Sequence, residues 1–471
     1  MRHSSHSRFH VDHTTSSPSS LAFTPGSLVA MLDLSRIRRA TSVALVVGSL
    51  VGTLAGCGGL LDVSDPTLVR DSDIANASGA DGRRLAVLTY LSQQLAPVYE
   101  DVAKITDEWT IDEPPDSYDY LDKRDSEGYE TAIGLRDAHL GALDYFYYQT
   151  SFAIPSIRAY TPDSLKNDFL AQLFAIRGFA VLQAAEDLCP GFPLNDVTPD
   201  LQPVFSGPLT TDSALTLANT QLDSAVAHAG DTARFVVLAR VTKGRALLDQ
   251  GKYSEAAAMV ASVPTDGIYQ VGVSSNKLYS DVRPGRWIVG GFNIAVGDGE
   301  GGNGQPFVSA NDSRVPIVRG GPRAGFPAET LYKSNVYPTS TTPITLATGT
   351  EARLIEAEVA LHDNDPNWLT ILNDLRATAI DPALPPLTDP GTTATRVDLV
   401  YHERAFWLYT TGRRLGDLRR LIRNYGRSAE SVFPTGAYAL GGTYGPATAI
   451  PFSLAAQRQS NPHITTGCTT R

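Results

Sequence analysis

The side chains here that could bind or transform a ligand are histidines, cysteines, acids and aromatics, and their spacing excludes more than it offers. The 471-residue chain holds nine histidines, and four of them (His3, His6, His10, His13) crowd the extreme N-terminus. The others, His139, His228, His362, His402 and His463, lie far apart, and none sits at metal-ligand spacing from another or from a Cys. They are expected to be surface or turn residues. No Walker lysine loop, His-Glu-x-x-His or Gly-x-Ser-x-Gly occurs. Gly297-Asp298-Gly299-Glu300-Gly301-Gly302 matches Gly-x-Gly-x-x-Gly. That motif holds phosphate only where it leaves a strand and opens a helix. Here Asn303-Gly304-Gln305-Pro306 follows, and two carboxylates would repel phosphate, so a loop is expected. Asp298 and Glu300 could join a structural calcium site, because hard cations take carboxylate oxygens; a solvated loop is the simpler reading. No other cofactor or metal is expected. Acidic pairs such as Asp107-Glu108 and Asp112-Glu113 have the composition of a glycosidase pair, but nothing singles one out, and solvated faces are expected. No catalytic residue is assigned, and the chain is not expected to be an enzyme.

Aromatic residues give the more specific chemistry. A pyranose ring offers a flat patch of C–H bonds that an exposed Trp or Tyr covers at low entropic cost, while amides and carboxylates bond the hydroxyls. Trp368 and Trp407 lie on helical stripes and read as core. Trp109 stands beside Asp107, Asp112 and the run Tyr118-Asp119-Tyr120, and Trp287 stands near Arg283 and Arg286. Trp109, Tyr118, Tyr120 and Trp287 are therefore the candidate ligand-binding residues. The run Arg413, Arg414, Arg419, Arg420, Arg423 suggests an anion site at first sight. Arg413, Arg420 and Arg423 fall along one polar face opposite a leucine stripe, so ion pairs with acids such as Glu403 and Asp417 are expected.

The first sixty residues concern the compartment. From Met31, the expected true start, Arg36, Arg38 and Arg39 form a positive segment, and Thr41 to Gly56 is uncharged and apolar. That stretch is short for a membrane-spanning helix, which takes about 20 residues, and it has the order of a signal peptide over 1–56. Leu54-Ala55-Gly56-Cys57 resembles the bacterial lipobox, in which the Cys thiol is acylated. Lipidated Cys57 and a Gly58-Gly59 tether (57–65) would then precede a single domain over 66–471. Removal of 1–56 leaves 34 basic against 48 acidic groups, so the net charge moves from −11 to −14. Such a chain repels polyphosphate, which argues against a nucleic-acid partner. Cys189 and Cys468 remain; they either pair in an oxidising compartment or stay as two buried thiols.

These residues need elements to position them. Apolar spacings of three and four predict helices over 81–108, with Pro97 kinking or ending the first, and over 129–154, 164–188 and 211–228. Residues 232–249 and 253–262 read as a helical hairpin turning at Gln250-Gly251-Lys252. The segment Ala246 to Ala257 has the tetratricopeptide arrangement of small Gly, wedge Tyr and close-approach Ala. Thr348 and Glu351 can cap a further helix, Asp365-Pro366 starts its partner, and two more helices span 397–409 and 413–425, broken near Gly412. Between them, 268–347 reads as a Gly- and Pro-rich irregular insertion whose aromatics argue for order.

Taken in order, these pieces resemble the SusD/RagB family of nutrient-uptake outer-membrane lipoproteins. The resemblance spans nearly all of the mature chain. It rests on the lipobox followed by Leu60-Leu61-Asp62-Val63, on Arg177-Gly178-Phe179-Ala180-Val181-Leu182 running to Pro190-Gly191-Phe192-Pro193-Leu194, and on Glu351 to Glu358. Its most specific parts are Glu403-Arg404-Ala405-Phe406 through Gly412-Arg413-Arg414-Leu415-Gly416-Asp417-Leu418-Arg419-Arg420, and the ending Ile450-Pro451-Phe452 with Asn461-Pro462. The likeness implies a mostly α fold: a tetratricopeptide-like helical superstructure with a loop-rich ligand-binding part and few short strands. It further implies binding of oligosaccharide or peptide, and partnership with a TonB-dependent β-barrel transporter. The family's ligand residues follow no fixed motif, so none carries over. A lipid-anchored tetratricopeptide scaffold for envelope assembly and a surface glycosidase are the other two readings.

Overall fold

The computed structural model describes residues 71–112, 119–126, 128, 138–198, 200, 202–230, 233–272, 294–324, 326, 328–339, 341–454, 457–458 and 461–468. The expected signal segment, the lipobox and tether, Tyr118 and Trp287 lie outside them. Helix α1 (Ala77–Ile105) opens on Asn76, whose side chain accepts a bond from the Gly79 N–H. Pro97 lies inside it and does not end it. Leu95, Ala96, Val98 and Tyr99 around the proline are all buried, and their burial outweighs the roughly 3 kcal/mol an internal proline costs.

Five more helices follow in packed succession: α2 (Ala138–Tyr160), α3 (Asp163–Asp187), α4 (Thr211–Ala229), α5 (Ala233–Asp249) and α6 (Tyr253–Val260). The start of the expected 129–154 helix lies outside the described residues. The turn between α5 and α6 holds Gly251 at φ 71°, a conformation that side-chain-bearing residues avoid. The hairpin motif read in the sequence therefore folds as read. Helices α7 (Gly349–His362), α8 (Asn367–Thr378), α9 (Thr393–Trp407) and α10 (Arg414–Tyr425) complete the helical frame, with Thr348 capping α7 through the Glu351 N–H at 3.0 Å. Each helix buries an apolar stripe against its neighbours, and one continuous core runs through all of them.

The stretch 268–347 is more regular than expected. It carries strands β4 (Ile268–Val271), β5 (Ile294–Val296), β6 (Ile317–Pro322), β7 (Thr330–Ser334) and β8 (Ile344–Thr348). Antiparallel ladders join β4 to β8 and β6 to β7. β5 pairs with β1 (Trp109–Ile111), which follows α1 directly. A small ladder of β2 (Asp196–Val197) and β3 (Pro203–Val204) lies between α3 and α4. The sequence reading expected few short strands but placed none of these, because each is only two to six residues long.

The arginine run is the largest difference in environment. Its ion pairs exist, but they are buried and not on a polar surface. Arg420 bonds Glu358 of α7 at 2.8 Å, Asp249 of α5 at 2.9 Å and Asp417 at 2.7 Å. Arg404 bonds Asp417 at 2.7 Å, and Arg413 bonds Glu351 at 2.9 Å. Glu403 holds Arg314 and Arg376, neither of them from the run. Five helices, α5 and α7 to α10, are thereby cross-linked by charge inside the core. Removing one partner of such a pair strands the other, which is costly.

Candidate functional site

Strand β1 is the starting point, because the sequence places its candidate aromatics on either side of it. Asp107, Glu108 and Asp112 were expected on solvated faces and are instead buried. Asp107 forms a two-pronged pair with Arg414 at 2.6 and 2.8 Å. Glu108 accepts the Thr410 N–H at 2.8 Å. Asp112 takes Arg323 Nε at 3.1 Å and the Ala324 N–H at 3.2 Å. Glu113 lies outside the described residues. Trp109 is 1% exposed and its indole N–H donates to the Tyr409 hydroxyl at 3.1 Å. It is a core residue and offers no open face to a sugar, because all three residues of β1 are buried between the helices and β5. Tyr120, in the helical turn Asp119–Asp122, is half-buried and packed on the core. A Cβ on Gly128 would meet its ring.

Ile111 is the register partner of Ile294. Tyr118 and Trp287 lie outside the described residues; Asp112 leaves β1 at the end where Ile294 opens β5. The connection from β6 to β7 is fastened to that end. Arg323 donates to Asp112, to the Ile111 carbonyl at 3.1 Å and to Glu329 at 3.1 Å. Its guanidinium lies over the Phe326 ring, 4.7 Å from the centroid. The connection closes on itself through Phe326 N–H to the Arg323 carbonyl and Glu329 N–H to the Phe326 carbonyl. Phe326 is half-buried and Glu329 exposed. Arg323 uses three of its five N–H donors in these bonds to described residues, so an aromatic ring and a guanidinium meet at one rim. The sequence reading missed Arg323. Its signal was the Gly320-Gly321-Pro322 run next to Phe326, which marks a hairpin.

Below this rim lies a buried acidic floor. Asp122 accepts the Ile111 N–H at 2.7 Å, the Thr110 hydroxyl at 3.1 Å and the Tyr438 hydroxyl at 2.8 Å. Burial nevertheless pushes its carboxyl up to about 7, and the Glu300 charge adds to the rise. Glu108 is pushed up to about 8, by burial first and by the nearby Asp107 charge as well, against the bond from Thr410. Glu300 is raised by burial and accepts the Tyr444 hydroxyl at 3.1 Å. The glycine-rich motif does leave a strand, β5, but it opens only the 3-10 turn Glu300–Gly302 and no helix. Asp298 Oδ1 accepts the N–H groups of Val308 and Ser309 and the Ser309 hydroxyl, bracing the loop. Among the described residues no three His, Cys, Asp or Glu side chains gather as a metal would need.

His139, expected at the surface, is 2% exposed. It sits between Asp101 at 3.2 Å and Asp187 at 3.0 Å, tying α1, α2 and α3 together. Burial opposes its charge, yet the two carboxylates outweigh burial and push it up to about 9. His402 is half-buried, bonded to Gln305 at 2.7 Å, whereas His362 and His463 are exposed. Cys189 and Cys468 form a disulfide with Cα atoms 5.4 Å apart.

No protein-family model and no curated protein matches the chain. Solved structures do. A SusD superfamily protein from Bacteroides vulgatus superposes with a TM-score of 0.60 at 14% identity, over 84% of this chain and 99% of its own. A SusD-like carbohydrate-binding protein from the same organism gives 0.57 at 13% identity, over 83% and 97%. Surface glycan-binding protein A from Bacteroides thetaiotaomicron gives 0.59 at 12% identity, over 84% and 100%.

Proposed function

From a chain that has the SusD fold, we propose a nutrient-capture protein: it binds an oligosaccharide, is held to the bacterial outer membrane by lipid on Cys57, and passes its ligand to a TonB-dependent β-barrel transporter. The observation that carries this reading is the fold itself, shared along nearly the whole length of two structures whose names describe carbohydrate or surface-glycan binding. The rim at the end of the β1·β5 ladder supports it locally, because Phe326 and Arg323 join an apolar ring to a polar side chain, the combination a sugar needs. The two carboxylates there, Asp112 and Glu329, are both taken by Arg323. That suits binding and gives neither acid a free role in proton transfer, so no covalent step is proposed. Peptide is the competing ligand within the same reading.

Two measurements test the proposal. Glycan-array screening of the full-length chain should find a neutral oligosaccharide, and a peptide library showing the only binding would replace the sugar. A pull-down of the lipidated protein from gently solubilised outer membrane should bring a large β-barrel in near-equal amount. Absence of any barrel after cross-linking would sink the import reading. Recovery of envelope-assembly proteins in its place would favour the scaffold reading, which rests on the helical hairpin at 246–257 alone.

A further inference from the structure

We propose that Glu186, near the end of α3, and Asp249, the last residue of α5, share a single proton that latches α3 to α5 and α10. The latch does not depend on the capture reading above. Both residues are buried, at 5% and 3% exposure. Glu186 Oε1 lies 2.7 Å from Nε of Arg245, one helical turn before Asp249 on α5. On its other side stands Gly416 of α10, where a Cβ would come 3.1 Å from the Glu186 carboxyl carbon. Asp249 Oδ1 takes Arg420 at 2.9 Å and Arg423 at 3.5 Å.

One oxygen remains on each carboxyl, Glu186 Oε2 and Asp249 Oδ2. Both are buried, and among the described residues neither accepts a bond from an N–H or hydroxyl donor. The two carboxyls lie within hydrogen-bond reach of each other. Two ionised carboxylates so placed would repel, whereas one proton between them satisfies both oxygens. Burial drives the Glu186 carboxyl well above its ordinary range, and Asp249 adds to the rise against Arg245 and Arg413. Burial opposes the Asp249 charge too, yet Arg420, Arg423 and the bond from Glu186 hold it below the ordinary value. The proton therefore resides on Glu186, which donates it to Asp249.

The surrounding charges have partners of their own. Glu351 of α7 takes Arg413, while Glu358 of α7 and Asp417 of α10 take Arg420. Arg419 of α10 bonds three carbonyls at the end of α3, and Asp187 faces His139 of α2. Unfolded, Glu186 loses its proton near the ordinary value of 4.5; folded, it keeps the proton to higher pH. Over that window the folded chain holds one proton more, so this contribution to stability falls as pH rises. Once the proton leaves, like charges face each other and loosen the corner where Cys189 N–H meets the Ile450 carbonyl.

Glu186→Gln replaces the shared proton with an amide N–H that still bonds Asp249 and does not titrate. In denaturant unfolding of the full-length protein from about pH 5 to about pH 8, wild type should lose stability relative to Glu186→Gln. The loss should reach at most about tenfold in the folding equilibrium constant per pH unit. Infrared spectra at about pH 6 give the second readout. Wild type should show a protonated-carboxyl band that is missing from Glu186→Gln and also from Asp249→Asn, whose amide serves an ionised Glu186. Glu108 and Asp122, raised by burial as well, contribute equally to all three proteins and cancel in difference spectra. A purely packing role for Asp249 would leave the Glu186 band in place. A stability difference that stays constant with pH overturns the proposal, as does a Glu186 band that survives in Asp249→Asn. Should Glu186→Gln fail to fold, the difference spectrum of wild type and Asp249→Asn decides.

Discussion

Trp109 and His139 have side chains that suit ligand contact, yet tertiary packing gives both to the core. His139 makes the first prediction. Its folded pKa, about 9, lies above the ordinary value of about 6.5. Its stabilisation is therefore complete below pH 6.5 and fades as pH rises through 9. His139→Gln should cost about 3 kcal/mol at pH 6 and much less at pH 9.5, as read from denaturant midpoints at both values. Glu108 has the opposite sign. Its carboxyl is raised to about 8, so ionisation burdens the fold increasingly from about pH 4.3 to 8. Glu108→Gln, which keeps an acceptor for the Thr410 N–H, should gain stability relative to wild type as pH rises across that window. At the rim, Phe326→Ala should weaken the captured oligosaccharide about tenfold in calorimetry, with little change in melting temperature, because ring stacking on a ligand is worth about 1–3 kcal/mol in comparable platforms.

At the scale of elements, periodicity located the helices and local chemistry located only some of their ends. The Thr348 cap was legible because Glu351 stands three residues on. The start of α9 was not: Thr392 and Thr395 form a reciprocal capping box, and a threonine in place of the usual Glu or Gln hides it. The helix consequently begins at Thr393, four residues before the apolar stripe suggested. Thr392→Ala should lower stability by about 1 kcal/mol, measured by denaturant titration. The α3–α4 contact depends on Gly178, where a Cβ would come 2.5 Å from Leu222 Cγ. Gly178→Val should destabilise the chain by about 1–3 kcal/mol through overpacking, visible as a lower melting temperature.

Across the whole molecule, the C-terminal tail is bound to the middle of the chain. Ile450 N–H donates to the Asp187 carbonyl at 2.7 Å, Cys189 N–H to the Ile450 carbonyl at 3.1 Å, and the disulfide joins positions 279 residues apart. Phe452 and Ile464 of the tail are buried beside it. Cys468→Ser should lower stability by about 2–5 kcal/mol, because the unfolded chain regains the freedom of that long loop. Oligosaccharide capture at the distant rim should persist in the folded fraction, as calorimetry at low temperature would show.

Helical class, the hairpin at 246–257 and the family likeness were all determined by the sequence alone, because they rest on contacts between residues three or four apart and on motifs a few residues long. The likeness of Leu54-Ala55-Gly56-Cys57 to a lipobox is read on the same local ground. Burial of the arginine run, the acidic floor beneath β1 and the pairing of β1 with β5 were decided by the tertiary structure. These contacts join elements remote in sequence, as Tyr438 and Asp122 are 316 positions apart, and a charged side chain reads as surface until its partner is in place. The rim formed by Arg323 and Phe326 belongs to the second kind: its two residues are near neighbours, but only the anchor to Asp112, just after a remote strand, fastens them to the end of the ladder.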